Sequence, residues 1–286
     1  MESFLHFFEV MPAWQRAAWI FICLVFCWIL EGSFPLFRFS NNKIKHIGVN
    51  MVFLSTTMII NVLFGVATVG VFVWLQRKQF GLLYLIDLPV WAELIIAILI
   101  FELMAQYTVH YLLHRVKWMW KFHMIHHSDT HLDATSGTRH HPGDFAMREL
   151  FALGAVIITG APVAYYFLYR ICTVFFTYIT HANIICPRWI DKPLSYIFIT
   201  PNMHKFHHHY QRPWTDTNFG NIFSIWDRVF GTFVYDDPKK IRYGLDVLDD
   251  STDENIAYQF KIPFDNSIKT DQKRKFRLWE YLKSEW

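Results

Sequence analysis

The chain has 286 residues, of which 53% are hydrophobic and 19% aromatic, with 18% charged and a mean hydropathy of +0.19. That balance excludes a disordered chain and an ordinary water-soluble domain, and indicates a membrane protein. The net charge of +3 comes without a basic run interleaved with aromatics, which argues against nucleic acid. Cys23, Cys27, Cys172 and Cys186 lack CxxC spacing and imply neither a zinc knuckle nor a disulfide framework.

The first apolar run, Trp19 to Leu30, is short for a span of about 20 residues unless it tilts or starts near Pro12. A signal peptide is disfavoured, because Glu2 and Glu9 stand where lysines belong and no small-residue cleavage site follows. From Ile47 to Gln76 no side chain is charged, which makes this the clearest span. A third runs from Pro89 to Leu113, interrupted by Glu93 and Glu102. From Glu102, the residues Gln106, His110 and His114 follow at four-residue steps on one helical face. Polar groups at membrane depth face protein, so Glu102 and Gln106 are expected partners for imidazole N–H groups.

The fourth apolar region, Leu150 to His181, is broken at Gly160, Ala161 and Pro162 and predicts two short helices that run out and back or form a re-entrant hairpin. Arg38, Lys43 and Lys45 mark the first loop as cytosolic, and Arg115, Lys117 and Lys121 mark the face two spans later the same way. The amino terminus is then outside. Beyond Asp236 the sequence is charged and loop-like, closing with a short helix carrying Phe276, Trp279, Leu282 and Trp286 that either rests on the membrane or is a solvated tail.

The chemistry lies in the histidines. His110 and His114 form HxxxH, His123, His126 and His127 form HxxHH, His204, His207 and His208 repeat HxxHH, and His181 falls between. Residues four apart sit one turn apart on one face, so HxxxH can reach one metal. In HxxHH at about 100° per residue the last two rings flank the first, an arrangement that favours two adjacent metals over one. A lone HxxxH is weak evidence, but two copies of HxxHH are strong. Imidazole suits iron, zinc, copper and nickel alike.

The stretch His114 to Ser128 and the stretch His204 to Phe233 resemble the histidine boxes of the fatty acid hydroxylase and sterol desaturase superfamily of membrane di-iron oxygenases. The likeness covers roughly residues 100 to 235 and includes Asn218, Gly220, Trp226, Asp227, Phe230, Gly231 and Thr232, together with His181 and Asn183 in the segment THAN. Tyr111 stands where many relatives place arginine after the first histidine, and Glu102 is out of register with their upstream aspartate. Of the pair before Pro142, the resemblance selects His141 over His140 as a further ligand. His131 and His209 are near-site extras or surface residues, and His6 and His46 have no claim.

The resemblance implies an all-α, multi-pass membrane helical bundle with a cytosolic helical histidine-box cap. Residues 1–88 would be an amino-terminal transmembrane region, 89–235 the catalytic domain and 236–286 a cytosolic tail. It further implies two iron ions held by His110, His114, His123, His126, His127, His141, His181, His204, His207 and His208, with O2 as co-substrate. The reaction would hydroxylate or desaturate an unactivated C–H bond of a lipid, with no catalytic residue beyond the ligands. No flavin or nicotinamide fingerprint is present, so an external ferredoxin or cytochrome-type donor is expected. The Lys283–Trp286 end carries no ER retrieval signal, which leans toward a bacterial inner membrane. A membrane metal-binding protein without oxygenase activity, which needs the same ligands but no substrate channel, and a zinc hydrolase are the alternatives, though no box holds the glutamate of HExxH. A bis-histidine haem carrier is a third, but it needs its pairs on facing helices inside the bilayer, and the boxes sit beside charged residues at a membrane edge.

Overall fold

The computed structural model describes residues 1–38 and 43–270, and the closing helix expected over residues 276–286 lies outside them. Among the described residues there are helices and no strands. Helix α1 is Glu2–Glu9, α2 is Ala13–Ser33 and α3 is Lys43–Lys78. Helix α4, Val90–Phe101, continues through a π-helical stretch, Glu102–Thr108, into α5, Val109–Arg115. Then follow α6, Lys117–His127, α7, Pro142–Thr159, and α8, Val163–His181. Short helices complete the order: α9 Arg188–Leu194, α10 Pro201–His207, α11 Ile225–Val229 and α12 Ile256–Lys261.

Four segments are long and apolar enough to cross a membrane: Ala13–Ser33, Lys43–Tyr84, Val90–Arg115 and Val163–His181. The first three are the sequence spans, the first two extended by several residues at both ends and the third shifted by one or two. At 1.5 Å per residue, the 36 residues of α3 run about 54 Å, well past a hydrocarbon core of about 30 Å. Its surplus is used at the start, where His46, Val49, Asn50 and Phe53 are buried. Farther along, Val62, Leu63, Val66 and Val69 are exposed, as suits a helix facing lipid.

The break at 160–162 separates two helices of 18 and 19 residues, longer than the short pair expected. They leave the histidine cluster and return to it, because Asp144 at the start of α7 and His181 at the end of α8 both touch it. Gly160 ends α7 with φ +64 and lies against Gly81, φ +120, of the α3–α4 connection. A Cβ on Gly160 would come within 2.4 Å of the Phe80 carbonyl oxygen, so both left-handed conformation and space demand glycine there.

The segment beyond Asp236 is irregular but not loose. Leu245 and Ile262 are buried with Trp120, Met124 and Phe53, Phe260 stacks on Phe53 at 5.0 Å, and Ser128 donates to Gln259 at 2.8 Å. These contacts brace α6 and the start of α3 from the side away from the spans.

Candidate metal centre

Helices α5, α6 and α10 each deliver their histidines at one end of the bundle, and α8 delivers His181 at its last residue. One group brings ring nitrogens of His110, His114, His123, His127 and His207 within 4.8 Å of one another, and a second does so for His126, His181 and His208. The groups adjoin, with the His127 and His208 rings stacked at 4.6 Å. His204 joins the second through its Nε2, 3.2 Å from Nε2 of His181.

Hydrogen bonds fix the tautomers. The Nδ1 atoms of His110, His207 and His181 lie 2.9, 2.7 and 2.6 Å from the carbonyl oxygens of Phe219, Thr217 and Thr177. A carbonyl only accepts, so each Nδ1 carries the proton and each Nε2 presents a lone pair. His123 Nδ1 is 3.0 Å from Asp144 Oδ2 and His114 Nδ1 is 3.3 Å from Asp216 Oδ1, which sets the same tautomer. Yet Nε2 of His110 lies 3.1 Å from Nε2 of His123, and Nε2 of His181 has Nε2 of His126, His204 and His208 within 3.1–3.2 Å although its lone pair can accept from one. Nε2 of His114 and of His207 are buried without any hydrogen-bond partner.

Lone pairs that face each other across about 3 Å without a proton repel, unless a cation lies between them. Two imidazole nitrogens on one metal at about 2.1 Å are roughly 3.0–3.4 Å apart. The donor set therefore fits metal ions. Burial pushes the His126, His127, His204, His207 and His208 rings well below their ordinary range, and takes His123 down to about 4 against the opposing pull of Asp144. Neutral rings are the form that binds metal.

Nine of the ten histidines assigned from sequence converge here, and His141 does not. Its Nδ1 accepts from the Gly143 N–H at 3.0 Å as the cap of α7, and its ring packs on Phe122, Phe260 and Phe264. The ring at the cluster is that of His140, 4.4 Å from His126 and with Nδ1 2.8 Å from Asp144 Oδ2. The reason is local: an extended residue before Pro142 turns its side chain back over the first turn of the helix, while its neighbour points the other way. His46 pairs with Asp129, 3.0 Å from both oxygens, and His131 and His209 hydrogen-bond locally outside both groups.

Glu102 and Gln106 do not hold imidazoles either. Glu102 Oε1 accepts the backbone N–H groups of Asn221, Ile222 and Phe223 at 2.7, 2.6 and 3.3 Å, and Oε2 accepts the Tyr169 hydroxyl at 2.9 Å. Gln106 bonds Tyr169 and lines the cavity described below. The carboxylates that orient rings are Asp144 and Asp216. Asp144 lies four residues after His140 at a helix start, a spacing that signals it; Asp216 sits inside the WTDTNFG tail with no such signal. Burial raises Asp144, but Arg148, His123 and His140 overcome this and hold it well below the usual carboxylate range.

Fold and site together define a class: a helical membrane protein with a buried, metal-competent imidazole cluster at one end of its spans. Residues 94–232, the histidine-bearing stretch, match the fatty acid hydroxylase family model. Ornithine lipid hydroxylase OlsE of Rhizobium tropici is 33% identical over 129 residues, 44% of this chain and 38% of its own. Alkylglycerol monooxygenase of Caenorhabditis elegans is 29% identical over 171 residues, 58% of this chain and 32% of its own, and the Homo sapiens enzyme 27% over 146 residues, 49% and 30%. The chain spans about a third of the length of these curated relatives. No solved structure gives a significant match.

Proposed function

We propose that this protein is a membrane di-iron oxygenase that uses O2 to hydroxylate an unactivated C–H bond of a lipid. The observation that carries the reading is the convergence of the Nε2 lone pairs of His110, His114, His123 and His207, each set by an acceptor at its Nδ1, with those of His110 and His123 facing at 3.1 Å. It is supported by similarity to a lipid hydroxylase and to monooxygenases. His110, His114, His123, His127 and His207 would hold one ion, and His126, His181, His204 and His208 the other, with His140 at the seam. Iron bound there would supply O2 activation and the oxidising power to take hydrogen from carbon.

The chain's own groups do the rest. Carbonyls of Phe219, Thr217 and Thr177 and the carboxylates Asp144 and Asp216 aim the rings. A cavity of about 160 Å³ between α2, α3 and α8 ends on His110, His126, His181 and His204 and admits a lipid chain from the side of the spans. The basic residues Arg115, Lys117 and Lys121 support a cytosolic histidine face, where an external one-electron carrier of ferredoxin or cytochrome type would supply electrons.

The test is metal and product analysis of detergent-purified protein. Two irons per chain, O2 uptake and a lipid gaining one oxygen are expected. A single zinc with hydrolysis of a lipid ester and no O2 uptake would overturn the reading.

A further inference from the structure

The imidazole cluster has an outer side as well as a cavity side. Trp120 stands about one turn before His123 and two before His127 on the same face of α6, so the helix carries its indole to the cluster with them. Its ring centre lies 4.8 Å from that of His114, 5.4 Å from His127 and 6.1 Å from His123. The opposite edge belongs to the outer surface, where Trp120 lines a shallow dimple with Tyr210, Arg212, Thr215 and Leu245, away from the spans. The Arg212 guanidinium covers the ring there at 5.2 Å. One conjugated group thus crosses the wall between imidazoles and solvent. Phe219 also touches His110, His114 and His207, but it is fully buried and leads outward through a second ring, Tyr111, 5.5 Å away.

Charge at the dimple suits an acidic visitor. Arg115 and Arg212 share one carboxylate, Asp216, at 3.7 and 3.6 Å, and Asp216 is also tied to His114 Nδ1. Two guanidinium groups against one carboxylate leave a positive balance, and 49% of the Arg115 side chain is exposed. Such a face steers an acidic partner toward the outer edge of Trp120. Contact with the indole is not needed, because an electron tunnels; its rate falls steeply with distance and is best sustained across close-packed conjugated atoms.

We propose that Trp120 is the point of electron entry: a soluble, acidic one-electron carrier docks over the dimple at Trp120 and Arg212, and its electron passes through the indole to the metal held by the imidazoles. This rests on the oxygenase reading for the metal and adds the place and charge of the donor. Turning C–H and O2 into C–OH and water consumes two electrons and two protons, hence two carrier visits. At each visit the carrier is oxidised by one electron, one ferric ion is reduced to ferrous, and no bond forms or breaks at Trp120.

The experiment uses the full-length protein in nanodiscs, with an acidic iron–sulfur ferredoxin as carrier and reduced methyl viologen as a small reductant that needs no docking face. Reduction of the oxidised, iron-loaded protein is followed by stopped flow without O2 or lipid, per bound iron. Trp120→Leu is expected to slow reduction by ferredoxin about tenfold or more, and Trp120→Phe to slow it less. Both should leave reduction by methyl viologen within about twofold, and Tyr111→Leu should slow neither. Should Trp120→Leu hold no iron, Trp120→Phe decides by the same comparison. Docking is read on metal-free protein, where Arg115→Gln combined with Arg212→Gln is expected to weaken ferredoxin binding about tenfold at low salt and to flatten its salt dependence. An unchanged ferredoxin rate in the Trp120 variants, equal slowing with both reductants, or an equal effect of Tyr111→Leu overturns entry at Trp120. Failure of ferredoxin to bind, or unchanged binding in the arginine variant, overturns the docking face. A wild type that holds no iron would refute the oxygenase reading, while ferredoxin binding to metal-free protein would still decide the docking face.

Discussion

His110, His114, His123, His181 and His207 each answer to a particular acceptor at Nδ1, and single substitutions should separate ligands from neighbours. His126→Ala and His207→Ala are expected to abolish product and to cut bound iron, while the spans stay folded. His6→Ala, on the exposed face of α1, should change neither. Asp144→Asn keeps the volume but loses the charge that steadies His123 and His140, and a metal-affinity loss of about 10–100-fold is expected in titration against a chelator. His141→Ala removes only a helix cap and should lower stability by about 1 kcal/mol with iron content intact. Full iron in His126→Ala, or iron loss in His141→Ala as deep as in His140→Ala, would refute the ligand assignment.

Among the elements, α7 and α8 depend most on their turn. Gly160→Ala places a methyl in a left-handed conformation against the Phe80 carbonyl, and a loss above about 1 kcal/mol is expected, read as a drop in Tm. The break was legible from Gly-Ala-Pro in the sequence; the pairing of Gly160 with Gly81 was not, because nothing local couples residues so far apart. The π-helical stretch Glu102–Thr108 was equally hidden. It shifts the register of the polar stripe, so that Glu102 turns to the 221–223 loop while His110 faces the cluster. A regular α-helix would instead put Glu102 and Gln106 on the face of His110, as the four-residue spacing alone implies. Glu102→Leu leaves three backbone N–H groups unpaired, and a cost of about 1–3 kcal/mol is expected in thermal unfolding.

For the molecule as a whole, the cluster links stability to pH. In the folded, metal-free protein the His123 ring sits near 4, and those of His126, His127 and His207 well below 6.5, all through burial. The unfolded chain, with rings near 6.5, binds more protons below that pH. Stability is therefore fully present above about pH 6.5 and falls as pH drops toward the folded values. Tm of metal-free protein should decline steadily between pH 6.5 and 4.5, and iron should raise Tm at pH 7 by mass action, less so in acid where protons compete. A flat Tm over that interval would refute the neutral, buried cluster.

Hydropathy and histidine spacing by themselves determined that this chain spans a membrane by helices and carries its imidazoles at one edge of it, because both are periodic, short-range signals. Which rings meet was decided only by tertiary structure. His140 enters and His141 leaves on the geometry of one proline. Asp144 and Asp216 acquire their roles from partners 21 and 102 residues away, contacts that exist only once the helices are packed.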